Sequence, residues 1–499
     1  MSLKRNILSN YSGNIALLII NFLLVPVYLK FLTAEEYGLI VFFTTLVSSF
    51  VVLDMGLGLT INREVASSVA LNNSSKQTAD IIRSFESIYW ALAVVIGVFL
   101  NVFAEWISIN WLNVENINQD QLKFVIRLIG FALMVRWPIS FYDNVMSGFQ
   151  KMFPLNLIKI VVGILNISVL YSLFYYFDIG IAGYFIFLVS LYFFHVSALI
   201  CNIWRTNSLD FWKAKFRFDI LKKSKTYILG IGFYSIIGTL YVIIDKLLIS
   251  KAFLTTELAY YSLISMATLS IVQLVYPISS ALFPKFVEYY KKEKIIESFH
   301  IFRRGYQLIM VLVFSFSAIL VLFGKSIILI WTQNEIITEN SIIYLKPLLL
   351  GTVFYCLHIL IVSIYTALGK TKLVNIVYII TFSLYVVLLS FSLLENNLLW
   401  IAYSWLLSNI ILMLLSVVLA FKLLGYTRFK LFIKQDIVLP LLIFLIIVIT
   451  SNYIAVPYIS VFNSIVLIVV SLVGFLILFS LCSSHLRSII YLRVNNERE

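Results

Sequence analysis

Phe31-Leu32-Thr33-Ala34-Glu35 returns as Phe253-Leu254-Thr255-Thr256-Glu257. Each copy stands where one long apolar run ends and the next begins. Lys151 and Asn156 recur as Lys370 and Asn375, with the same spacing. Two matches at nearly one offset, about 220 residues, indicate a helix bundle built twice; in membranes such doubled bundles are characteristic of transporters, whose substrate path lies between the halves.

The composition around these echoes excludes a soluble protein. Hydrophobic residues make up 61% of 499 and charged residues 12%, with a mean hydropathy of +0.99. A soluble domain is about half apolar and about a quarter charged. Since a bilayer core takes about 20 apolar residues per helix, the chain reads as an all-α, polytopic membrane helix bundle of about 14 transmembrane helices. The spans fall at 11–32, 38–60, 85–108, 124–147, 154–177, 179–203, 226–250, 259–284, 306–331, 343–368, 373–394, 398–421, 437–455 and 462–483. Lys4 and Arg5 precede the first of them, which ends without a small-x-small cleavage site and reads as a retained span, not a leader. Cys201, Cys356 and Cys482 stand singly, with no metal or disulfide spacing.

The connections orient the bundle. With the N-terminus inside, the inner segments are 61–84, 148–153, 204–225, 285–305, 369–372, 422–436 and the two tails. They hold roughly 28 of the 37 basic residues, a strong positive-inside bias that places both termini in the cytoplasm. The opposite connections carry Glu35, Glu36, Glu115, Asp120, Glu257, Glu335, Glu339 and Glu395. This distribution accounts for the net charge of +13 without any nucleic acid as partner. No connection is long enough for a soluble domain. Six spans per half make the duplication a parallel repeat: an N-terminal lobe (1–203), a basic cytoplasmic inter-lobe loop (204–225), a C-terminal lobe (226–421), and a final pair of spans with a tail (422–499). The basic loop reads as topology plus attraction to anionic membrane lipids. Glu35 and Glu257 read as rim residues at equivalent outer corners.

Several stretches then fall into a recognisable order. Tyr37-Gly38-Leu39, Leu53-Asp54-Met55-Gly56-Leu57-Gly58 and Asn62-Arg63-Glu64 stand in the first lobe. Asp245-Lys246-Leu247-Leu248-Ile249, Phe253-Leu254, Tyr260-Tyr261-Ser262 and Ser280-Ala281-Leu282-Phe283-Pro284 stand in the second. Over roughly residues 5–425 the pattern resembles the polysaccharide exporters of the multidrug/oligosaccharidyl-lipid/polysaccharide superfamily. Flippases for lipid-linked O-antigen repeat units are the nearest in style, although many of those have twelve spans and this chain reads as fourteen. The resemblance implies a two-lobed bundle around a polar cavity in the bacterial cytoplasmic membrane. Its substrate would be an undecaprenyl-diphosphate-linked oligosaccharide, carried from the inner to the outer leaflet at the expense of an ion gradient. A polysaccharide polymerase and a chain-length regulator would be its protein partners. No cofactor, metal site or catalytic group is expected.

The residues can be matched to that task. Each sugar hydroxyl stripped of water in hydrocarbon costs several kcal/mol, so the head group needs a wet, polar path, and its diphosphate needs cations at membrane depth. Arg136, deep in its apolar run, is the first candidate, with Lys159, Lys246 and Lys346 nearer helix ends. The competing reading of Arg136 is a structural pair with Asp143, two turns along the same helix. Asp54, Asp143 and Asp245 are candidates for proton or ion coupling. Against this, Asp54 also fits a helix-bending or capping position, and Asp245 and Lys246, being adjacent, point to different helix faces. His195 and His358 within spans suit a proton relay, or single histidines on polar helix faces. Trp106, Trp111, Trp204, Trp331 and Trp400 stand at span ends as an interfacial belt; Trp137 and Trp405 are more internal and are the candidates for stacking on sugar rings.

Gly369-Lys370-Thr371 is not a Walker loop, because Ile364 stands where the motif needs glycine. Two other functions compete. A multidrug or cation antiporter of the same superfamily calls for an anionic or aromatic cavity, whereas this chain has an excess of embedded cations. A membrane polymerase or glycosyltransferase calls for a large loop on one face.

Overall fold

The computed structural model describes residues 3–54, 56–71, 74–206, 213–292, 294–367, 371–424, 432, 437–451 and 461–482. The described chain is helical apart from an isolated bridge between Asn113 and Leu254. Nine described helical stretches, one of them running over two successive helices (Thr255–Tyr289), are long and apolar enough to cross a membrane, and three shorter apolar helices accompany them. Lys370 of the second echo, residues 207–212 of the basic loop, Met55, most of 425–436 and the tail from 483 lie outside the described residues.

The chain forms two compact units, Met1–Ala259 and Tyr260–Glu499. The first holds α1 (Leu3–Phe31), α2 (Ala34–Phe50), α3 (Leu57–Ala70), α4 (Ser75–Val102), α5 (Ala104–Asn110), α6 (Gln119–Gly148), α7 (Met152–Phe177), α8 (Ile181–Thr206), α9 (Phe218–Ala252) and the start of α10 (Thr255–Leu269). Here α6 packs against α3, α4 and α8, α1 packs along α7, and α9 lies on α2, α3 and α4. The second unit holds the rest of α10, α11 (Val272–Lys291), α12 (Ile295–Thr332), α13 (Glu335–Ile342), α14 (Leu345–Ala367), α15 (Thr371–Leu394), α16 (Leu398–Leu424), α17 (Val438–Thr450) and α18 (Val461–Cys482). There α16 packs on α14 and α15, and α12 packs on α11, α14, α17 and α18. Phe314 of α12 stacks on Phe444 of α17 (5.0 Å) and tilts against Phe479 of α18 (5.6 Å), which fixes the last two helices.

The burial pattern is that of a protein solvated by lipid. On α7, Phe153, Leu157, Val161 and Ile164 are all exposed. Their spacing of four, four and three puts them on one helical face, which in water would be a costly apolar stripe. A Cβ on Gly163 of the same helix would meet Ile20 of α1 at 2.7 Å, so the small residue allows the helices to approach.

Two spans read as continuous are broken. Instead of one span at 38–60, α2 ends at Phe50, a 3-10 turn covers Val51–Asp54, and α3 starts at Leu57. Gly56 makes the break possible, with φ of 80°, a conformation that side chains with a Cβ rarely adopt. The span read as 259–284 is α10 and α11, separated by Ser270 and Ile271. Here the hydroxyl groups compete for helix carbonyls: Thr268 Oγ1 donates to Ile264 O (3.0 Å) and Ser270 Oγ to Ala267 O (2.6 Å). The amides of Ile271, Gln273 and Leu274 tighten to three-residue hydrogen bonds. The spans that follow the two copies of the Phe-Leu-Thr-x-Glu echo are therefore both interrupted. Several inner connections also differ from the reading. Residues 61–84 are mostly the end of α3 and the start of α4, and 285–305 the end of α11 and the start of α12. Hydropathy marks where apolar side chains stop, not where the backbone ladder stops.

The two echoes meet at one corner of the first unit. Glu35, read as a rim residue, is buried and accepts from the Glu115 and Asn116 amides (2.5 and 3.0 Å). Asn113 O accepts from Thr255 N and Oγ1 (both 3.0 Å), and Asn113 Nδ2 donates to Lys251 O (3.0 Å). A Cβ on Gly38 would come within 2.1 Å of the Thr255 carbonyl oxygen, so only glycine fits there without backbone movement.

Candidate functional site

The embedded charges of the first unit gather on α6, α7 and α8. Lys159 Nζ of α7 lies 2.7 Å from Asp143 Oδ2 of α6, and both side chains keep 24% exposure. The competing reading of Arg136 as the ion-pair partner of Asp143 does not hold at contact distance: that partner is Lys159. Seven residues of helix separate Arg136 from Asp143 by about 10 Å along the axis, whereas packing of α7 and α8 against α6 brings Lys159 alongside. The Arg136 guanidinium stands 5.8 Å from the Tyr192 ring centroid of α8, and among the described residues it has no carboxylate partner. Pro138 follows two residues later inside α6.

The same three helices carry uncommitted polar atoms. Asp143 Oδ1, Trp137 Nε1, Asn166 Oδ1 and His195 Nε2 are buried with no protein partner among the described residues. His195 lies within the field of both Arg136 and Lys159. Buried polar atoms without partners are rare in folded proteins, where each costs about 1–3 kcal/mol. The set offers two cations against one carboxylate, with donors and acceptors around them. Chemically it can hold an anion and hydrogen-bond hydroxyl groups or water.

Asp54 closes the 3-10 turn at the α2–α3 break. Its Oδ2 accepts from Gly58 N (3.2 Å) and its Oδ1 from the Tyr89 hydroxyl of α4. That is the capping geometry, set where the helix is interrupted. Asn144 of α6 adjoins the same break, with its Nδ2 2.6 Å from where a Cβ on Gly58 would be.

The other candidates are placed differently. Asp245 and Lys246 were expected to point apart. Instead the Lys246 ammonium folds back onto the buried Asp245 carboxylate (3.2 and 3.3 Å), since a flexible four-carbon stem reaches an adjacent acid more readily than it stays unpaired at depth. Lys346 lies in the first turn of α14. Trp137 is buried, its indole N–H unpartnered. Trp405 is only 2% exposed, between Tyr355 and Tyr385 and against Gly351. That is a packing position, with no open face for a sugar ring. His358 is fully buried between Ser416 Oγ (3.0 Å) and Tyr378 OH (2.8 Å), so it is not a single histidine on a polar face.

One polar network escaped the sequence reading. Glu86 of α4 is buried, receives Arg83 Nη1 (2.7 Å) and the Tyr142 hydroxyl of α6 (2.7 Å), and Tyr142 in turn accepts from Trp90 Nε1 (3.0 Å). Its signal was available: Glu86 is a carboxylate just inside a span that otherwise reads as apolar.

A lipid-solvated helix bundle with interrupted spans and a cationic polar cluster within them is that of a multi-pass membrane transporter. The fold is that of the MOP superfamily. It superposes on an inward-facing multidrug resistance MATE family transporter (TM-score 0.67, 14% identity, 81% of this chain and 94% of that one). It also superposes on the lipid II flippase MurJ in an inward closed conformation (TM-score 0.62, 14% identity, 97% and 99%). The model of the family described as "Polysaccharide biosynthesis protein" matches residues 3–290, and the chain belongs to that family. The MatE model matches 230–391. A curated relative named "Putative O-antigen transporter", from Shigella flexneri, is 23% identical over 381 residues, covering 74% of this chain and 86% of that protein.

Proposed function

We propose that the protein is a flippase for undecaprenyl-diphosphate-linked oligosaccharide, carrying repeat units of O-antigen, capsule or exopolysaccharide from the inner to the outer leaflet by alternating access. The observation that carries this reading is the surplus cation at membrane depth: Arg136 and Lys159 face a single carboxylate, Asp143. A cationic drug would be repelled there, whereas a diphosphate would be held by charge-assisted hydrogen bonds. Membership of a polysaccharide biosynthesis family and the O-antigen transporter relative support the same substrate class. The uncommitted atoms of Trp137, Asn166 and His195 suit sugar hydroxyls, which need a substitute for water at every step.

Asp54 and Asp143 are the positions at which a coupling proton or ion would act. Asp54 sits at an interrupted helix, the kind of backbone that lines binding sites in secondary transporters. Asp245, held by Lys246, is the weaker coupling position, and Lys246 and Lys346 are secondary candidates for diphosphate binding. A polymerase and a chain-length regulator would act on the released product.

The test uses full-length protein in proteoliposomes carrying labelled lipid-diphosphate oligosaccharide and an imposed proton or sodium gradient. The label should reach the opposite leaflet with glycan length unchanged. Lengthening of the glycan would establish a polymerase, and gradient-driven movement of a cationic dye in place of the lipid would establish an antiporter; either result sinks the flippase reading.

A further inference from the structure

The stretch Lys215-Phe216-Arg217-Phe218 lies outside the α6–α8 cluster, and nothing in the transport chemistry accounts for it. It runs into α9 with Arg217 in extended backbone (φ −133°, ψ 107°). The amides of Lys215 and Arg217, two residues apart, lie on one edge of the extended segment. Lys215 N donates to Asp80 Oδ1 (2.8 Å) and Arg217 N to Ser84 Oγ (2.8 Å). Asp80 and Ser84 are buried, four residues apart on one face of α4, and Ser84 Oγ donates to Asp80 O (2.7 Å). The segment is therefore fixed through its backbone, and the Asp80 carboxylate is engaged by an amide.

The side chains are left on the surface. Phe216 is 51% and Phe218 67% exposed, and Lys215, Arg217 and Lys222 are exposed as well. Asp219 is the one acid between 213 and 222. Two exposed phenylalanines would be a liability in water, but here they alternate with cations where α8 ends and α9 begins. At a bilayer edge the rings enter the interfacial layer and the cations meet phosphate.

We infer that Lys215–Phe218, with Lys222, is a preorganised ledge that binds anionic phospholipid headgroups, seating the inter-helix connection on the membrane surface. Charge complementarity selects the occupant: cations recruit anionic headgroups over zwitterionic ones, and the rings require an apolar layer beside them. The ledge stands apart from the α6–α8 cluster and does not depend on what the protein transports.

The experiment measures lipid retained by full-length protein from equimolar phosphatidylglycerol and phosphatidylcholine, by native mass spectrometry. The variant Lys215→Gln/Arg217→Gln/Lys222→Gln should lower the preference for phosphatidylglycerol by about tenfold or more. Phe216→Ser/Phe218→Ser should lower retention of both lipids. Lys292→Gln/Lys294→Gln, which removes exposed cations at the end of α11, should leave the preference unchanged. An equal drop in that control would make the effect one of net charge and overturn the inference. So would an unchanged preference in the triple variant, including the case in which the ledge instead captures a protein. Labelled-oligosaccharide flipping, measured in parallel in phosphatidylcholine alone, separates failure of this inference from failure of the flippase reading.

Discussion

Two helix groups occupy corresponding places in the repeat and solve the same burial problem differently. On α6–α8 of the first unit, Lys159 pairs with Asp143 at 2.7 Å, and Arg136 rests near Tyr192. On α14–α16 of the second, His358 is clasped by Ser416 and Tyr378 with no exposure at all. In the register that carries Lys151 to Lys370, Tyr378 stands where Lys159 stands. Lys159 and Asp143 keep a quarter of their side-chain surface open, while His358 and Ser416 keep none. Neutral groups can be buried completely once every donor finds an acceptor. Ions held at such depth need a partner, water or a ligand. The sequence echo puts the two groups in one register, and they carry different chemistry.

Exchanging the properties of the two groups tests that contrast. The largest effect is expected from Arg136→Ala/Lys159→Gln, which should slow flipping by about 100-fold or more if each cation contributes roughly 1.5–3 kcal/mol to holding the diphosphate. Insertion and yield should be normal, and an unchanged rate in proteoliposomes would remove the first group from the path. His358→Ala should instead destabilise by about 2–4 kcal/mol, through the stranded Tyr378 and Ser416 hydroxyl groups. Its flipping rate per folded molecule should be unchanged; a loss of rate at normal thermal stability would show that the neutral group takes part in transport.

The ion pair itself gives a smaller effect. Lys159→Met should cost about 1–3 kcal/mol, less than for a fully buried pair because both partners keep part of their surface open. Adding Asp143→Asn should recover part of that loss in thermal unfolding, and a strictly additive double variant would argue against coupling. Gly56→Ala should cost about 1 kcal/mol, since the residue sits at positive φ; no change would mean that the α2–α3 break relaxes freely.

The smallest effect is expected at Glu105, outside the spanning helices, where the hydrogen bond and charge of Lys123 (2.5 Å) hold its carboxyl below the usual range. A carboxylate lowered in the folded state contributes its stability above the unfolded value, and that contribution disappears as pH falls through the folded one. Wild type should therefore exceed Glu105→Gln slightly in thermal stability at neutral pH, and the difference should shrink as pH falls below the ordinary carboxylate range and vanish once the lowered value is passed. A gap that persists in acid would point to packing instead.

Much of the site was legible as residue types and little of it as geometry. Arg136, Lys159 and Asp143 stood out because charge inside an apolar run is conspicuous. Their pairing did not, because it depends on which neighbouring helix packs beside Asp143. Trp405 and Trp137 look alike in sequence, yet Trp405 is enclosed by Tyr355 and Tyr385, while the indole N–H of Trp137 has no partner. The echo itself was displaced by one residue. Glu36 caps α2 through Thr33 N (2.9 Å), and Glu257 does the same for α10 through Leu254 N (3.2 Å). Glu35, the match by sequence, ties down Glu115 and Asn116.

The sequence by itself determined the helix bundle, its membrane setting and the conspicuous charges inside apolar runs, because apolar run length and charge placement are properties of the chain in order. Only the tertiary structure decided the partners: Asp143 with Lys159, Asp54 with Tyr89, His358 with Ser416 and Tyr378, and the Asp80 carboxylate with an amide of the Lys215–Phe218 ledge. A hydrogen bond or ion pair forms at about 3 Å, and helix packing alone brings residues far apart in sequence to that distance.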